Sequence, residues 1–299
     1  MQTNLLARRL IGATSPGWRT RFAPAPTGWL HLGHVVNAVY VWGLARAAGG
    51  RVVLRVEDHD AKRCRPDYVR GVGDDLEWLG LVPDEVAPPQ SERTARYEAV
   101  LKELESRRAV YACTCSRRDL SQAAGDVFGE ETRYPGTCRA CGIDFSVTPA
   151  RRVVMESRNE RFYDLALGTH AQDPAAQCGD VLVRDRDGQW TYQFAVVVDD
   201  IDQRIDVIIR GEDLLASTGR QIQLARLLGR AKPPAFLHHP LVRHDDGSKL
   251  SKSNRDTGVR ELRAAGWTAE KVLGEATRLG GLVSVVQSLA ARDLASMFE

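Results

Sequence analysis

The segment from Thr20 to Val56 constrains the fold of this chain more than any other. Thr20–Ala23 has the composition of a short strand, and the residues from about Leu32 to Ala48 favour a helix. That helix should end at Gly49, and the β-branched run Arg51–Val56 then predicts a second strand. A strand, a helix and a strand in succession form a right-handed crossover between parallel strands. Ligands of such α/β sheets bind beyond the carboxyl ends of the strands, so we expect a site there.

The motif HLGH, at His31–His34, stands where the predicted helix begins. Its two imidazoles are three residues apart, about one helical turn, and can therefore point to the same side. Gly33 has no Cβ, which allows its backbone to lie close to a flat base or a phosphate. These features favour contact with a bound nucleotide.

A second motif, KLSKS at Lys249–Ser253, follows more than two hundred residues later. Two lysines three residues apart alternate with two hydroxyls, on a loop that Asp245, Asp246 and Gly247 introduce. Lysine ammonium groups are compact, movable charges that suit a polyphosphate. This motif therefore predicts a phosphate-binding loop.

Composition excludes several classes of protein. With 299 residues, of which 43% are hydrophobic, the chain can form one large α/β domain with an insertion. A net charge of +2 does not mark a nucleic-acid binder, but no Asp or Glu precedes Glu57 while seven arginines do. The first 56 residues therefore form an electropositive segment, which suits the binding of phosphates or carboxylates. Because the first motif comes too early for a leader, and no apolar run of about eighteen residues occurs, we expect a soluble, cytoplasmic protein without a membrane span.

The rest of the chain predicts alternating elements. Helices are expected at Pro66–Leu79, Ser91–Arg107 with Ser91 as N-cap, and Leu214–Leu228. Strand-like patterns occur from Val153 to Trp190 and at Ile205–Ile209. Asp187 and Gly188 predict a tight turn, and Thr268 a helix cap in the C-terminal region.

Four of the six cysteines crowd into one segment: Cys113, Cys115, Cys138 and Cys141. A C-x-C pair followed by a C-x-x-C pair suits a tetrahedral structural zinc ion, and thiolate is its stronger ligand. The alternative is a set of unpaired reduced thiols, whereas a disulfide framework is disfavoured in a cytosolic protein of this size. Cys64 and Cys178 are expected to be incidental.

Three further segments complete a family pattern: RFAPAPTGWLHLGH (Arg21–His34), LRVEDHD (Leu54–Asp60) and IIRGEDLL (Ile208–Leu215). With KLSKS they resemble the class I aminoacyl-tRNA synthetases, specifically the glutamyl/glutaminyl subgroup. The resemblance implies an α/β fold: a Rossmann-like catalytic core with a parallel sheet, a zinc-bearing α/β insertion and a short helical C-terminal segment. The resemblance also implies four regions. The two halves of the catalytic domain lie at 1–108 and, with KLSKS, at 191–253, and the acceptor-binding-like insertion with its zinc site lies between them at 109–190. The last region, 254–299, is a short C-terminal segment without an anticodon-binding domain.

The amino-acid pocket follows from the same matched positions. Glutamate carries two carboxylates and one ammonium, so its site needs two cationic clamps and one buried acid. Arg21 and Arg210 fit as clamps because a guanidinium grips a carboxylate with two parallel hydrogen bonds, and Glu57 fits the ammonium. Tyr192 would close the pocket. The resemblance adds four positions of the RFAPAP string to the glutamate-binding residues: Phe22, Ala23, Pro24 and Ala25.

One departure from the family concerns Ala25, where the family usually has Ser. A lost hydroxyl removes one hydrogen bond worth ~0.5–1.5 kcal/mol, so we expect weaker glutamate binding rather than another substrate. His59, in the RVEDHD segment, is interpreted as a turn residue beside the pocket and not as a catalytic base.

The zinc ligands implied by the resemblance differ from those that spacing favours. The string YPGTC, Tyr134–Cys138, is similar to a segment of the short glutamyl-tRNA synthetase paralogs, in which a tyrosine oxygen completes the site. Carried over, the ligands are Cys113, Cys115, Tyr134 and Cys138. Spacing chemistry alone prefers Cys141 to Tyr134, and both alternatives stay open.

The resemblance also assigns the two opening motifs. His31, Gly33 and His34 would act in catalysis, with both histidines bound to the phosphates of ATP. Lys249, Ser251 and Lys252 would bind ATP as well, and the two lysines would stabilise the reacting phosphorus and the leaving pyrophosphate. Magnesium would accompany ATP through phosphate oxygens.

The acceptor is suggested by the forty-six residues that follow Ser253. A chain of this length resembles the short paralogs of glutamyl-tRNA synthetase, which transfer activated glutamate to the queuosine base at the wobble position of tRNA(Asp). We expect the same partners here, L-glutamate, ATP and queuosine-containing tRNA(Asp), and a monomer. The alternatives are a truncated synthetase that charges a tRNA 3′ end, a non-tRNA adenylyl transferase, and an amino-acid-binding regulator.

Overall fold

The computed structural model describes residues 3–123, 127–128, 131–242 and 258–299. Within these ranges the helices are α1 Thr3–Ala13, α2 Leu32–Ala47, α3 Pro66–Leu79, α4 Thr94–Ser106, α5 Arg117–Ala123, α6 Pro174–Gln177, α7 Tyr192–Asp202, α8 Thr218–Leu227, α9 Val259–Ala264 and α10 Ala269–Leu279. The strands are β1 Arg19–Phe22, β2 Arg51–Leu54, β3 Glu85–Val86, β4 Val110–Ala112, β5 Val127–Phe128, β6 Glu131–Thr132, β7 Arg151–Val153, β8 Glu160–Asp164, β9 Gly168–Gln172, β10 Val181–Arg184, β11 Val207–Gly211 and β12 Ala235–His239.

The parallel strands of the catalytic core form two adjoining sheets. In the first, β1 pairs with β2 and β2 with β3, all parallel. In the second, β11 pairs with β12 and β12 with β8, again parallel, and the antiparallel β9 follows. The two sheets meet where Asp206 donates its backbone N–H to the Arg19 carbonyl at 2.9 Å. The α/β class with a parallel sheet is therefore confirmed.

Helix α2 is buried around most of its circumference, which explains its nearly uniform apolar sequence. One side packs on the sheet and the other on the C-terminal helices. Tyr40 donates its hydroxyl to the Gly280 carbonyl at 2.7 Å, and Gly43 leaves room for Phe298, whose ring a Cβ would approach to 2.3 Å. Gly49 adopts φ +69° just after the helix, as the sequence predicted for its end. The short helical C-terminal segment thus belongs to the core.

The antiparallel sheet β10-β7-β4 forms a second layer with α4 and α7. Its core is apolar and aromatic, with Tyr97, Trp190 and Phe194 in edge or stacked contact. The hairpin β8–β9 joins the second parallel sheet, although its residues fall within the 109–190 region. The four-region division stays a prediction.

Two helix starts differ from expectation. The helix predicted from Ser91 begins as a 3-10 turn at Gln90–Arg93 and continues as α4. Ser91 is not its N-cap, because the backbone N–H and hydroxyl of Ser91 both bind Asp58, at 2.8 and 2.6 Å. The helix predicted from Leu214 likewise starts as a 3-10 turn, at Glu212–Ser217, ahead of α8. Short polar side chains can bind loop partners as readily as helix ends.

Two smaller predictions are confirmed. Gly188 has φ +79° and donates its N–H to the Asp185 carbonyl at 3.1 Å, which forms the expected turn. Thr268 caps α10 by accepting the Lys271 N–H at 3.2 Å. None of the described helices has the length and apolar character needed to cross a membrane.

Candidate active site and metal cluster

An open cleft of about 380 Å³ lies at the carboxyl-end edge of the parallel strands. Residues from β1, β11 and the segments after β2 and β12 line it, together with the start of α2. Eight residues singled out in the sequence meet there: Arg21, Ala23, His31, Gly33, His34, Glu57, Tyr192 and Arg210. The cleft therefore lies at the edge of the sheet that the predicted strand–helix–strand crossover indicated. The roles of these residues stay predictions.

The two histidines at the start of α2 have their ring orientation set by the backbone. His31 is the N-cap, and its Nδ1 accepts the Gly33 N–H at 3.1 Å. The Nδ1 of His34 accepts the His31 N–H at 3.2 Å, and the two ring centroids are 4.0 Å apart. A neutral imidazole that accepts at Nδ1 carries its proton at Nε2. Two Nε2–H donors thus stand at the positive end of a helix dipole, which favours an anion.

Gly33 has a packing role that the motif did not reveal. A Cβ at this position would lie 2.9 Å from Cε1 of His31, closer than real contacts allow. A side chain here would therefore displace the ring that caps the helix. The glycine preserves the geometry of the histidine pair, independently of any approach by a substrate.

Below the cleft, a fully buried arginine organises the acidic groups. Arg55 donates to Asp200 at 2.7 Å and to Glu57 at 3.0 Å. Burial acts to raise the pKa of Asp200, but Arg55 and Arg21 outweigh it and hold the pKa below its usual range. Burial raises the pKa of Glu57, which Arg55 and Arg21 offset only in part. Glu57 is therefore a carboxylate that would gain from a further cation.

The two predicted clamps have different surroundings. Arg21 is buried and already contacts a carboxylate, with its Nε 3.3 Å from Asp200. Arg210 is equally buried, but its hydrogen-bond partners are neutral: His238 at 3.0 Å, Gln221 at 2.7 Å and Thr218 at 2.9 Å. Among the ion pairs of the described residues, none includes Arg210. Burial accordingly lowers the pKa of Arg210.

The neutral state of His238 follows from its two neighbours. Its Nδ1 lies 2.6 Å from the Asp164 carboxylate, so Nδ1 carries the proton and Nε2 accepts from Arg210. Burial lowers the pKa of His238, against the effect of Asp164. A buried cation held by dipoles is costly unless an anion joins it, and Arg210 is thus suited to a ligand carboxylate.

Tyr192 lies between the acidic and basic parts of the cleft. It is the first residue of α7, and burial, with Glu57 nearby, raises the pKa of its phenol. The hydroxyl is therefore a neutral hydrogen-bond donor over the whole physiological range.

Three of the predicted glutamate-binding positions do not line the cleft. The Phe22 ring points into the core, where it meets Trp42 edge-on at 5.3 Å, because side chains alternate along a strand. The Pro24 carbonyl accepts the Glu57 N–H at 3.1 Å, and the Ala25 carbonyl accepts that of Thr27 at 2.8 Å. Pro24 thus fixes the position of Glu57. Lys249, Ser251 and Lys252 fall outside the described residues.

Sequence reasoning missed several residues of the site. Arg55 and Glu57 lie two residues apart just after β2, where their N–H groups continue the ladder to the carbonyls of Phe22 and Pro24, so strand-like alternation could have placed both side chains on one face. Asp199 and Asp200 end the apolar run of α7, a signal of buried acids that the sequence did offer. His239 and Asn37 also line the cleft, with Nε2 and Oδ1 3.2 Å apart, and burial lowers the pKa of His239 to about 4.

The cysteine cluster contains three close sulfur atoms. The Sγ atoms of Cys113, Cys115 and Cys138 all lie within 4.8 Å of one another. A tetrahedral zinc ion with bonds of about 2.3 Å places its sulfur ligands about 3.8 Å apart, so the triad fits such an ion after a small adjustment. The Tyr134 hydroxyl is 3.6 Å from Sγ of Cys113 and accepts the Cys138 N–H at 2.9 Å. Four donor atoms are therefore gathered at one point.

Cys141 lies apart from this group. It is exposed, its Sγ contacts the Thr137 carbonyl at 3.2 Å, and it does not belong to the sulfur triad. The chain turns between Cys138 and Cys141, since the Cys141 N–H binds the Cys138 carbonyl. This arrangement supports Tyr134 over Cys141 as the fourth donor. The thiols of Cys64 and Cys178 are also outside the sulfur triad and contact backbone carbonyls, although the Cys178 carbonyl accepts the Tyr134 N–H at 2.9 Å.

Arg152, on β7, is the cation next to the cluster. Its Nε lies 3.3 Å from Sγ of Cys113, and its guanidinium carbon is 3.7 Å from the centre of the Tyr134 ring. Despite burial, hydrogen bonds from Thr114 and Cys115 lower the pKa of Cys138 to about 7, while burial and the Cys138 thiol raise that of Cys115 to about 12. Three thiolates this close together require additional positive charge, and a metal ion would supply it.

Comparison with known proteins identifies the family of this chain. Residues 18–296 match the family described as tRNA synthetases class I (E and Q), catalytic domain. The chain is 39% identical over 292 residues to a glutamyl-Q tRNA(Asp) synthetase of Nitratidesulfovibrio vulgaris, with 92% of this chain and 90% of the relative covered. It is 38% identical over 270 residues to a glutamate–tRNA ligase of Paraburkholderia phymatum, with 88% of this chain but 57% of that protein covered.

A solved structure shares the architecture. The crystal structure of a glutamate tRNA ligase from Elizabethkingia meningosepticum, in complex with its amino acid, superposes with a TM-score of 0.75 at 26% identity. The match covers 94% of this chain and 64% of that one. The family match, the extent of the similarity and the fold together show that the chain belongs to the class I tRNA synthetases (E and Q), and within them to the glutamyl-Q tRNA(Asp) synthetases.

Proposed function

We propose that this protein activates L-glutamate with ATP and transfers it to the queuosine base at the wobble position of tRNA(Asp). The observation that carries the proposal is that three kinds of group line one cleft: a buried arginine without an anionic partner among the described residues, a buried acid and a pair of imidazole donors. The glutamyl-Q tRNA(Asp) synthetases of similar sequence support the choice of acceptor.

Glutamate fits the charges of the cleft. Arg210, held by neutral groups, would receive one carboxylate, and Arg21 would receive the other beside Asp200. Glu57 would accept the ammonium, which adds a further cation to a carboxyl whose burial Arg55 and Arg21 offset only in part. Tyr192 would donate its hydroxyl and cover the methylenes with its ring.

Activation needs little proton chemistry from the protein. A carboxylate oxygen of glutamate attacks the α-phosphorus of ATP, a new oxygen–phosphorus bond forms, and the bond to pyrophosphate breaks. Because the attacking group is already anionic, catalysis consists of positioning and of neutralising negative charge. The Nε2–H groups of His31 and His34 would donate to phosphate oxygens at the start of α2. Lys249 and Lys252 would act on the same phosphates, and magnesium would enter bound to ATP.

The cysteine cluster has a structural role in this proposal. Cys113, Cys115, Cys138 and Tyr134 would hold one zinc ion, which would tie the loop at Cys113–Cys115 to the segment at Tyr134–Cys138. We propose a cytoplasmic location together with this reaction, and the expected monomer stays a prediction.

Two assays test the proposal. The first measures glutamate-dependent exchange of pyrophosphate into ATP, with and without tRNA, and no exchange in either case would overturn activation. The second measures attachment of labelled glutamate to tRNA(Asp) with queuosine, tRNA(Asp) without it, and tRNA(Glu). We expect labelling of the first alone. The similarity to a glutamate–tRNA ligase favours the charging of a tRNA 3′ end as the second candidate, and labelling of tRNA(Glu) alone would establish it.

A further inference from the structure

Helix α9 contacts the HLGH motif through its first residues. Val259 donates its backbone N–H to the Leu30 carbonyl at 2.8 Å, and Gly258 pairs with His31 in an antiparallel bridge. His31 is the residue that caps α2 in the cleft. In the sequence, α9 also follows shortly after KLSKS. The placement of α9 therefore affects the placement of His31.

Two arginines of α9 lie over tryptophan rings. The guanidinium carbon of Arg260 is 4.0 Å from the centre of the Trp29 ring, which packs on α3. A Cβ at Gly71 of α3 would approach Cζ3 of that ring to 2.4 Å. The guanidinium carbon of Arg263 is 5.4 Å from the centre of the Trp78 ring, also on α3. Both arginines are thus held against α3 through indole faces.

A buried acid of α3 lies between these two contacts. Gly71, Asp75 and Trp78 are four and three residues apart, so they share one face of the helix. Asp75 is 3% exposed, and its Oδ2 is buried without a hydrogen-bond partner in the described part of the chain. Among the ion pairs of the described residues, none includes Asp75. A buried carboxylate without a partner is costly, so its presence requires an explanation.

The charges that act on Asp75 come from both helices. Burial raises the pKa of Asp75 to about 6. Arg260 and Arg263 of α9 act to lower that pKa, whereas Asp74 of α3 and Glu261 of α9 act to raise it. Asp75 is therefore ionised at neutral pH, and it attracts both arginines across a partly desolvated interface.

We propose that Asp75 is a positioning residue, whose negative charge holds the two arginines of α9 on their rings and so fixes the start of α9 beside His31. The inference rests on the proposed function, in which His31 donates to the phosphates of ATP. A carboxylate that bound one arginine directly would draw it off its ring, whereas an unpaired carboxylate attracts both. This balance explains why the acid is buried without a direct partner.

Removal of the charge should lower activity without lowering stability. For Asp75→Asn we expect kcat/KM for ATP in pyrophosphate exchange to fall roughly tenfold at about pH 8, while the KM for glutamate stays within about twofold. The Tm at that pH should be equal or higher. The raised pKa means that ionisation of Asp75 costs stability as the pH rises through about 6. The matched control is Asp74→Asn, because Asp74 is the exposed neighbour on the same helix, and it should keep wild-type kinetics.

Two further measurements separate positioning from a purely structural role. The ratio of wild-type to Asp75→Asn activity should shrink towards one as the pH falls from about 8 to about 5, because protonated Asp75 resembles asparagine. In a double-mutant cycle, Arg260→Gln should also lower kcat/KM for ATP, and the two effects should be less than additive. A Tm that falls in step with activity, a ratio independent of pH, or fully additive effects would each overturn the proposal.

Failure of exchange in the wild type would instead overturn the proposed function. Calorimetric titration with ATP would still test the role of Asp75 in that case, because it needs no turnover. We expect weaker ATP binding in Asp75→Asn than in Asp74→Asn, and equal affinities in the two variants would contradict the proposal.

Discussion

The amino-acid cleft and the cysteine cluster are both incompletely balanced in charge, but with opposite signs. In the cleft, Arg55 and Arg21 together balance the charges of Asp200 and Glu57, whereas Arg210 is buried among neutral donors and acceptors. In the cluster, three thiols and a phenol converge on one point, and Arg152 is the cation beside them. The cleft therefore lacks an anion and the cluster lacks a cation.

This difference indicates what each region binds. Burial of an unbalanced charge is costly, so a stable fold keeps it only where a ligand or a rigid set of dipoles compensates. The polar groups around Arg210 are themselves fixed by hydrogen bonds. Asp164 fixes the tautomer of His238, and Gln193 accepts a hydrogen bond from Gln221. In the cluster, Sγ of Cys115 lies 3.5 Å from that of Cys138, and burial raises the pKa of the Cys115 thiol. The cleft is thus a preformed site for a carboxylate, whereas the cysteine cluster is a site that a metal ion would complete.

The largest effect is expected from Arg210→Gln. The amide keeps some hydrogen bonds but removes the charge. The loss of one partner from a buried ion pair costs about 3–5 kcal/mol, or roughly a hundred- to several thousandfold in kcat/KM for glutamate. The matched control is Arg230→Gln, because Arg230 is a partly buried cation that also donates to neutral groups, the carbonyls of Ile205 and Lys232, but lies outside the cleft.

Steady-state exchange kinetics at varied glutamate would measure both variants. The KM for ATP should change little in either. An equal loss in Arg210→Gln and Arg230→Gln would mean that Arg210 only stabilises the fold, and the contrast between the two regions would then disappear.

The second prediction concerns the cluster. Cys113→Ser removes one of three converging thiolates, and we expect bound zinc to fall from about one equivalent to below about a tenth, with a lower Tm, because structural zinc contributes to folding directly. Cys141→Ser is the matched control and should keep its zinc, since Cys141 is exposed and outside the triad. Metal analysis after dialysis would measure the zinc bound to each variant. Zinc lost from Cys141→Ser and retained in Tyr134→Phe would restore the ligand set that spacing favours.

The sequence predicted the edge of the sheet at which the cleft lies, because a strand–helix–strand crossover has one allowed hand. It did not predict the ion pair between Arg55 and Asp200, whose partners are 145 residues apart and meet only through the fold. It also counted Phe22 with its neighbour Arg21, although alternation along β1 sends the two side chains to opposite faces. Motifs give residues in order, whereas packing determines which face each side chain occupies.

The third prediction compares two adjacent buried arginines on β7. Arg151 and Arg152 both lie over aromatic rings, with guanidinium carbons 4.2 Å from the Phe145 centroid and 3.7 Å from the Tyr134 centroid. Only Arg152 contacts the cluster, so Arg152→Met should weaken zinc affinity about ten- to a hundredfold, as the loss of groups around metal ligands does. Arg151→Met should lower stability but keep the affinity. Competition with a chromophoric chelator would measure both, and equal affinities in the two variants would exclude a role for Arg152 in charge balance.

The smallest effect is expected from Ala25→Ser, which restores the residue that the family usually has. From sequence alone, the missing hydroxyl predicts weaker glutamate binding by ~0.5–1.5 kcal/mol, or about two- to tenfold. In the structure, Ala25 does not line the cleft and its carbonyl closes a turn with the Thr27 N–H, so an added hydroxyl would meet the loop before the substrate. We therefore expect the KM for glutamate to change by less than about twofold. A larger fall would show that the Pro24–Gly28 loop moves onto the amino acid when it binds, and that part of the cleft's charge balance forms only then.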